Sequence, residues 1–209
     1  MRTASSKKIL VTGFAPFGGE KLNPSGLLLP MLSESADVEV ALLPVTFAGA
    51  FVELEHKLKE QNYDFVICLG QAGGRAEVNL ERVAINMIDA SIADESGAIL
   101  QEAVIEERAP AAHLTPIALR KLCEDLQKLG HRVQVSNSAG LFVCNYVYFR
   151  LLDWISVQRL STQALFVHLP YLPEQISSKA EGTPSMDILQ MKSCILDLLN
   201  QCRALGAIK

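Results

Sequence analysis

Three runs of this chain, residues 8–13, 64–70 and 164–168, are apolar at nearly every position. A strand with one face in water would alternate apolar and polar residues. These runs do not, which predicts strands covered on both faces, as in the interior of a parallel sheet. Val38–Leu43, closed by Pro44, and residues 131–136 read as further strands, and residues 80–86 as another extended piece. Helical patterns lie between them. In residues 46–61, Phe47, Ala50, Phe51, Leu54 and Leu58 recur at helical spacing with charge on the opposite face. Asn23-Pro24-Ser25 reads as a helix start, with Asn23 as cap and Pro24 in the first position. Residues 115–129, 145–157 and 186–205 read as three more helices, and residues 89–109 as the longest loop. Strands alternating with helices predict one α/β domain with a mainly parallel sheet.

The totals narrow the class. A chain of 209 residues can bury a full core in one domain. Its net charge of -4 leaves no basic footprint for nucleic acid. No apolar run reaches the roughly 18 residues needed to span a membrane. The basic start at Arg2, Lys7 and Lys8 meets too short an apolar stretch to read as a signal peptide. The five cysteines (Cys68, Cys123, Cys144, Cys194 and Cys202) are odd in number and show no C-x-x-C spacing. That pattern predicts a reduced cytoplasmic compartment, with no disulfide framework and no zinc site. The glycine-rich stretch Gln71-Ala72-Gly73-Gly74-Arg75 lacks the Gly-Lys-Ser/Thr of a phosphate loop and the G-x-G-x-x-G of a dinucleotide site.

The residues with chemistry gather after predicted strands, where open α/β sheets bind ligands. Cys144 lies where the loop after residues 131–136 becomes a helix. The dipole of a helix start favours an anion, which predicts a thiol shifted toward thiolate. His168 ends the last strand and is the natural base, since imidazole can take a thiol proton and return it to a leaving group. Glu81 is a candidate for the carboxylate that orients it, with Glu77 and Asp89 as rivals that spacing alone does not separate. Phe14 and Phe17 predict a flat apolar slot, with Gly18 and Gly19 allowing close backbone approach. No second cysteine stands near Cys144 in sequence to resolve a redox cycle.

Ordered blocks along nearly the whole chain resemble the pyroglutamyl peptidase I family of cysteine peptidases. They are Val11-Thr12-Gly13-Phe14-Ala15-Pro16-Phe17-Gly18-Gly19, Asn23-Pro24-Ser25, Gly70-Gln71-Ala72-Gly73-Gly74-Arg75, Glu81-Arg82-Val83-Ala84-Ile85-Asn86, Phe142-Val143-Cys144-Asn145 and His168-Leu169-Pro170-Tyr171-Leu172-Pro173-Glu174-Gln175. The resemblance implies a three-layer α/β/α sandwich and a triad of Glu81, Cys144 and His168. It also implies a pyroglutamate pocket of Phe14, Phe17, Asn23, Gln71, Phe142 and Val143, no cofactor, and a cytoplasmic homo-oligomer, dimer or tetramer. Its implied substrates are pyroglutamyl peptides, cleaved through a thioester. Two departures stand out: Ser91 replaces the family's arginine, and Tyr146 its usual histidine after Cys-Asn. They imply the same reaction at a weaker or altered rate. The alternative is a pyroglutamyl-peptide binding protein of this fold.

Overall fold

A computed structural model describes residues 7–204. The basic start before Lys7 and the predicted helix end at Leu205 lie outside the described residues. The elements run β1 (Ile9–Phe14), α1 (Pro24–Leu32), β2 (Val38–Leu43), α2 (Ala50–Glu60), β3 (Phe65–Gln71), β4 (Val78–Glu81), β5 (Val83–Ile85), β6 (Ala112–Leu114), α3 (Leu119–Lys128), β7 (Val133–Ser136), α4 (Val143–Val157), β8 (Gln163–Leu169) and α5 (Ile188–Ala204). A 3-10 turn over Pro173–Ser178 fills part of the last connection.

Six strands form one sheet in the order β2-β1-β3-β8-β4-β7. β1, β3 and β8, the three continuously apolar runs, occupy its middle and are buried at every residue. Side chains alternate between its two faces. Ile9, Val11, Ile67, Leu69, Leu165 and Val167 pack against α1, α3 and α5. Leu10, Phe14, Val66, Cys68, Ala164 and Phe166 pack against α2 and α4. The result is a single-domain α/β/α sandwich. Among the described residues, no helix is long and apolar enough to cross a membrane.

Three sequence readings change. The extended piece at 80–86 is two strands in different sheets. β4 stays in the main sheet, while β5 turns away after Arg82 and pairs antiparallel with β6. β6, in a stretch to which the sequence reading assigns no element, exists because β5 pairs with it from the far side of the long excursion. The rim is also built differently from the expectation. β4 is antiparallel to β8 and parallel to β7, so this pair runs against the other four strands. Glu81 therefore stands opposite Phe166, and Asn79 opposite His168. The carboxyl-end rule places Phe14, Gln71 and His168 but not Glu81 or Cys144. These reach the same place because β4 and β7 are only four residues long.

Candidate active site

The site is assembled on the sheet face that α4 covers. Residues two apart on a strand share a face, which puts Phe166 with His168, Cys68 with Gly70, and Asn79 with Glu81. Gly70 is the register partner of His168. A Cβ on Gly70 would lie 2.7 Å from the Phe166 ring and 3.1 Å from Cys144 Sγ. The missing side chain thus leaves room for the Phe166 ring and, beside it, the thiol, one strand away from His168.

His168 is buried, and its Nδ1 meets Glu81 Oε1 at 2.8 Å. Its Nε2 has no hydrogen-bond partner among the described residues. Of the three candidate carboxylates, Glu81 is the one paired with His168; Asp89 is exposed and Glu77 half-buried. Glu81 is fully buried, and the same Oε1 takes Arg75 Nη1 at 2.6 Å. Tyr148 donates its hydroxyl to the Glu81 carbonyl at 3.0 Å, fixing the backbone beneath the pair.

The charges follow from these contacts. Burial works against an ionised Glu81, but its bond to His168, the His168 charge, the Ser136 hydroxyl and the Arg75 guanidinium outweigh it and hold the carboxyl below its usual range. Burial likewise pushes His168 down, against the upward pull of Glu81, and Arg75 adds to the lowering. Cys144 reverses the expectation drawn from its helix start. Burial and the nearby Glu81 charge push its thiol up to about 12. The partial charge of a helix end cannot offset the desolvation of a thiolate placed over a carboxylate. The resting pair is therefore thiol and neutral imidazole.

Cys144 is the second residue of α4. Phe142 caps this helix without a side-chain hydrogen bond, so no side chain occupies its first-turn N–H groups. Asn145 anchors the turn: its Nδ2 donates to the Ile85 and Met87 carbonyls at 2.8 and 3.0 Å, and its Oδ1 accepts the Ile85 N–H at 2.9 Å. Val143 is fully buried beneath the helix start.

The two phenylalanines separate. Phe14 is buried against Phe166, with ring centroids 6.4 Å apart, so it supports the ring that flanks His168. Phe17 is half-buried and stands 6.4 Å from Phe142, which Phe47 meets edge-on at 5.4 Å. Gly18 and Gly19 have φ of 61° and 77°, and nothing lies within 4 Å of where a Cβ would sit. Positive φ, not close approach, is what these glycines supply. The Gly18 N–H donates to Glu95 Oε1 at 2.9 Å. Asp94 pins the same loop by accepting the N–H groups of Phe47, Ser96 and Ala98 at 2.9, 2.8 and 3.0 Å.

Asn23 caps α1 as the sequence predicts, accepting the Ser25 N–H at 3.1 Å, and donates to the Ala15 carbonyl at 3.0 Å. Its amide thereby holds the Phe14–Phe17 turn and keeps one N–H in reserve. Gln71 Oε1 accepts from Gln175 Nε2 at 2.9 Å, which orients the Gln71 amide nitrogen as a donor. Sequence reading assigned no site role to Arg75, Gly70, Asn145, Tyr148 or Gln175. Arg75 lay in a turn judged only for phosphate and dinucleotide binding, Gly70 closed a strand read as core, and their partners are remote in the chain.

The sequence profile of the pyroglutamyl peptidase family matches residues 7–196. This chain belongs to the pyroglutamyl peptidase family. It is 40% identical to pyrrolidone-carboxylate peptidase 1 of Caldanaerobacter subterraneus over 191 residues, covering 90% of this chain and 94% of the relative. The pyrrolidone carboxyl peptidase of Fervidobacterium islandicum superimposes with a TM-score of 0.90 at 36% identity, over 95% of this chain and 99% of that one. Pyroglutamyl peptidase I of Bacillus amyloliquefaciens gives a TM-score of 0.90 at 34% identity, over 95% and 98%. Members of this family are cysteine peptidases, which fits a free cysteine beside a histidine–carboxylate pair.

The buried ionisable groups bound the pH range of stability. Unfolded, His168 and Glu81 titrate near 6.5 and 4.5; folded, both are held lower. As pH falls through 6.5, and again through 4.5, the unfolded chain binds protons that the folded chain refuses, so stability drops. Cys68, Cys144, Cys194 and Cys202 are pushed up to about 12 from 9.0. Above pH 9.0 the unfolded thiols lose protons that the folded ones keep, and stability drops again. Melting temperatures are expected to be highest between these limits. A higher value in mild acid than at neutral pH would contradict the assignment.

Proposed function

We propose that this chain removes an N-terminal pyroglutamyl residue from peptides, with Cys144 as nucleophile, His168 as base and acid, and Glu81 as the group that orients His168. The observation that carries this is the buried His168–Glu81 pair at 2.8 Å, with Cys144 Sγ beside Gly70, the register partner of His168. Because the thiol rests protonated, its proton passes to His168 Nε2 as sulfur attacks the substrate carbonyl. Glu81 stabilises the imidazolium. First-turn N–H groups of α4 receive the oxyanion. His168 then protonates the departing amine, leaving a thioester on Cys144. Water, giving its proton to His168, adds to the thioester and releases pyroglutamate with the thiol restored.

Pyroglutamate is a neutral lactam, which calls for an apolar slot and amide-type partners. Phe17 and Phe142 supply the walls with Val143 packed behind them, Gln71 an amide donor, and Phe14 and Asn23 hold the turn that carries Phe17. Purified protein is expected to release arylamine from a pyroglutamyl-arylamide and to stop when alkylated at Cys144. Release that survives complete alkylation would rule the reading out. Ser91 is exposed and leaves the position of the family arginine without charge. Ser91→Arg is expected to raise kcat/KM; an unchanged value would show that this chain works without that cation. Gly70→Ala places a methyl group into Phe166 and Cys144, and kcat is expected to fall about a hundredfold through displacement of the sulfur. A variant with native kcat would remove Gly70 from the argument.

A further inference from the structure

We propose that Arg75 is a positioning residue, whose guanidinium holds the Glu81 carboxylate and the loop before Cys144 in the arrangement that lets His168 act as base. This rests on the roles given to Cys144, His168 and Glu81 above. Arg75 bridges three strand-end segments. It sits on the turn after β3, donates through Nη1 to Glu81 Oε1 at 2.6 Å, and through Nη2 to the Ser138 carbonyl at 3.0 Å. Ser138 belongs to the loop joining β7 to α4, and so to Cys144. A planar fork can make both contacts at once, where an ammonium is a single point charge.

The contact with Glu81 is asymmetric. Arg75 and His168 both use Oε1, while Oε2 is buried without a hydrogen-bond partner. Arg75 is the one cation other than His168 paired with Glu81 among the described residues. The charged groups that act on His168 are Glu81 from β4 and Arg75 from the turn after β3; Cys144 and Tyr148 from α4 face Glu81, and Cys68 from β3 faces both of them.

Their charges balance. At rest, Arg75 is positive, Glu81 negative, and Cys144 and His168 neutral. After proton transfer, Cys144 is negative and His168 positive, and the sum is still zero. Without Arg75 the cluster carries one net negative charge in both states. A buried negative charge draws a proton from solvent onto His168, and a protonated His168 cannot accept the proton of Cys144. Arg75 thus reserves His168 for the thiol.

The test compares Arg75→Met and Arg75→Lys with the wild-type chain by two readouts. One is the pH profile of kcat/KM on a pyroglutamyl-arylamide; the other is the NMR titration of the His168 imidazole. In Arg75→Met, the acid limb and the imidazole titration are both expected to move up, by about half to one pH unit. In Arg75→Lys, which keeps the charge but not the fork, both are expected to return toward wild type while kcat stays lowered. Arg75→Gln is uncharged and still able to donate, and it serves if the methionine variant does not fold; the same upward shift is expected. A titration and an acid limb left unmoved by loss of the charge would overturn the proposal, whatever happens to stability. The imidazole titration needs no turnover, so the two readings fail separately. An inactive wild-type chain sinks the peptidase reading, and an unmoved titration sinks the role of Arg75.

Discussion

Cys144→Ser is expected to lower kcat for a pyroglutamyl-arylamide at least about a thousandfold while leaving the fold intact. The exchange of sulfur for oxygen changes volume little, and Cys144 is half-buried at the start of α4. Packing therefore has little to lose. The chemistry loses much more. A hydroxyl is far harder to deprotonate than a thiol, and the surroundings already oppose negative charge here, since burial and Glu81 push even the thiol up to about 12. His168 is held below its ordinary basicity, so it cannot make up the difference. The measurement is steady-state turnover beside a melting curve. A serine variant retaining a tenth of native turnover with a native melting temperature would remove Cys144 as nucleophile.

Glu81→Gln is expected to damage both activity and stability. Glu81 Oε1 accepts from His168 and from Arg75, and the residue is fully buried. A glutamine amide has one accepting oxygen, carries no charge, and must bury an NH2 at the other position. With its oxygen in the place of Oε1 it can still accept from both, but its NH2 then stands buried and unpaired where Oε2 was, and Arg75 loses its counter-charge in a buried setting. The stability cost is about 2–4 kcal/mol, in the range for breaking a buried pair from one side. Turnover is expected to fall about a thousandfold or more, because His168 loses the negative charge that stabilises its cation. Denaturant midpoints and kcat/KM on the same preparation check both effects. Activity within tenfold of native would show that Glu81 is not coupled to the reaction, and an unchanged midpoint would show that the pair adds nothing to folding.

The two variants differ in what they reveal about reading a sequence. Cys144 could be singled out from its neighbours alone, because a loop-to-helix boundary is a local pattern. Its ionisation could not. That depends on burial beneath the loops and on Glu81, whose distance from Cys144 in the chain carries no local signal. Glu81 could be nominated but not separated from Glu77 and Asp89, since three carboxylates on one stretch look alike until a strand register chooses between them. That register was hidden because β4 is short, lies against an antiparallel neighbour, and breaks from β5 at Arg82. The aromatic pair was legible as a pair. Its division into a buried support (Phe14) and a half-buried wall (Phe17) was not, because the φ of 61° and 77° at Gly18 and Gly19 turns the chain between Phe17 and α1.

By itself the sequence determined the central strands, the helices that cover them and the cap at Asn23. All of these follow from patterns within about one element's length, where side-chain period and local backbone preference act. It also determined, through its ordered blocks, the family to which the chain belongs. Tertiary structure alone decided that Glu81 is shared by His168 and Arg75, that the Cys144 sulfur lies beside Gly70, and that the thiol rests protonated. Each of these is a contact or a field between residues brought together by sheet register. Such interactions depend on distance in space, and distance along the chain does not fix them.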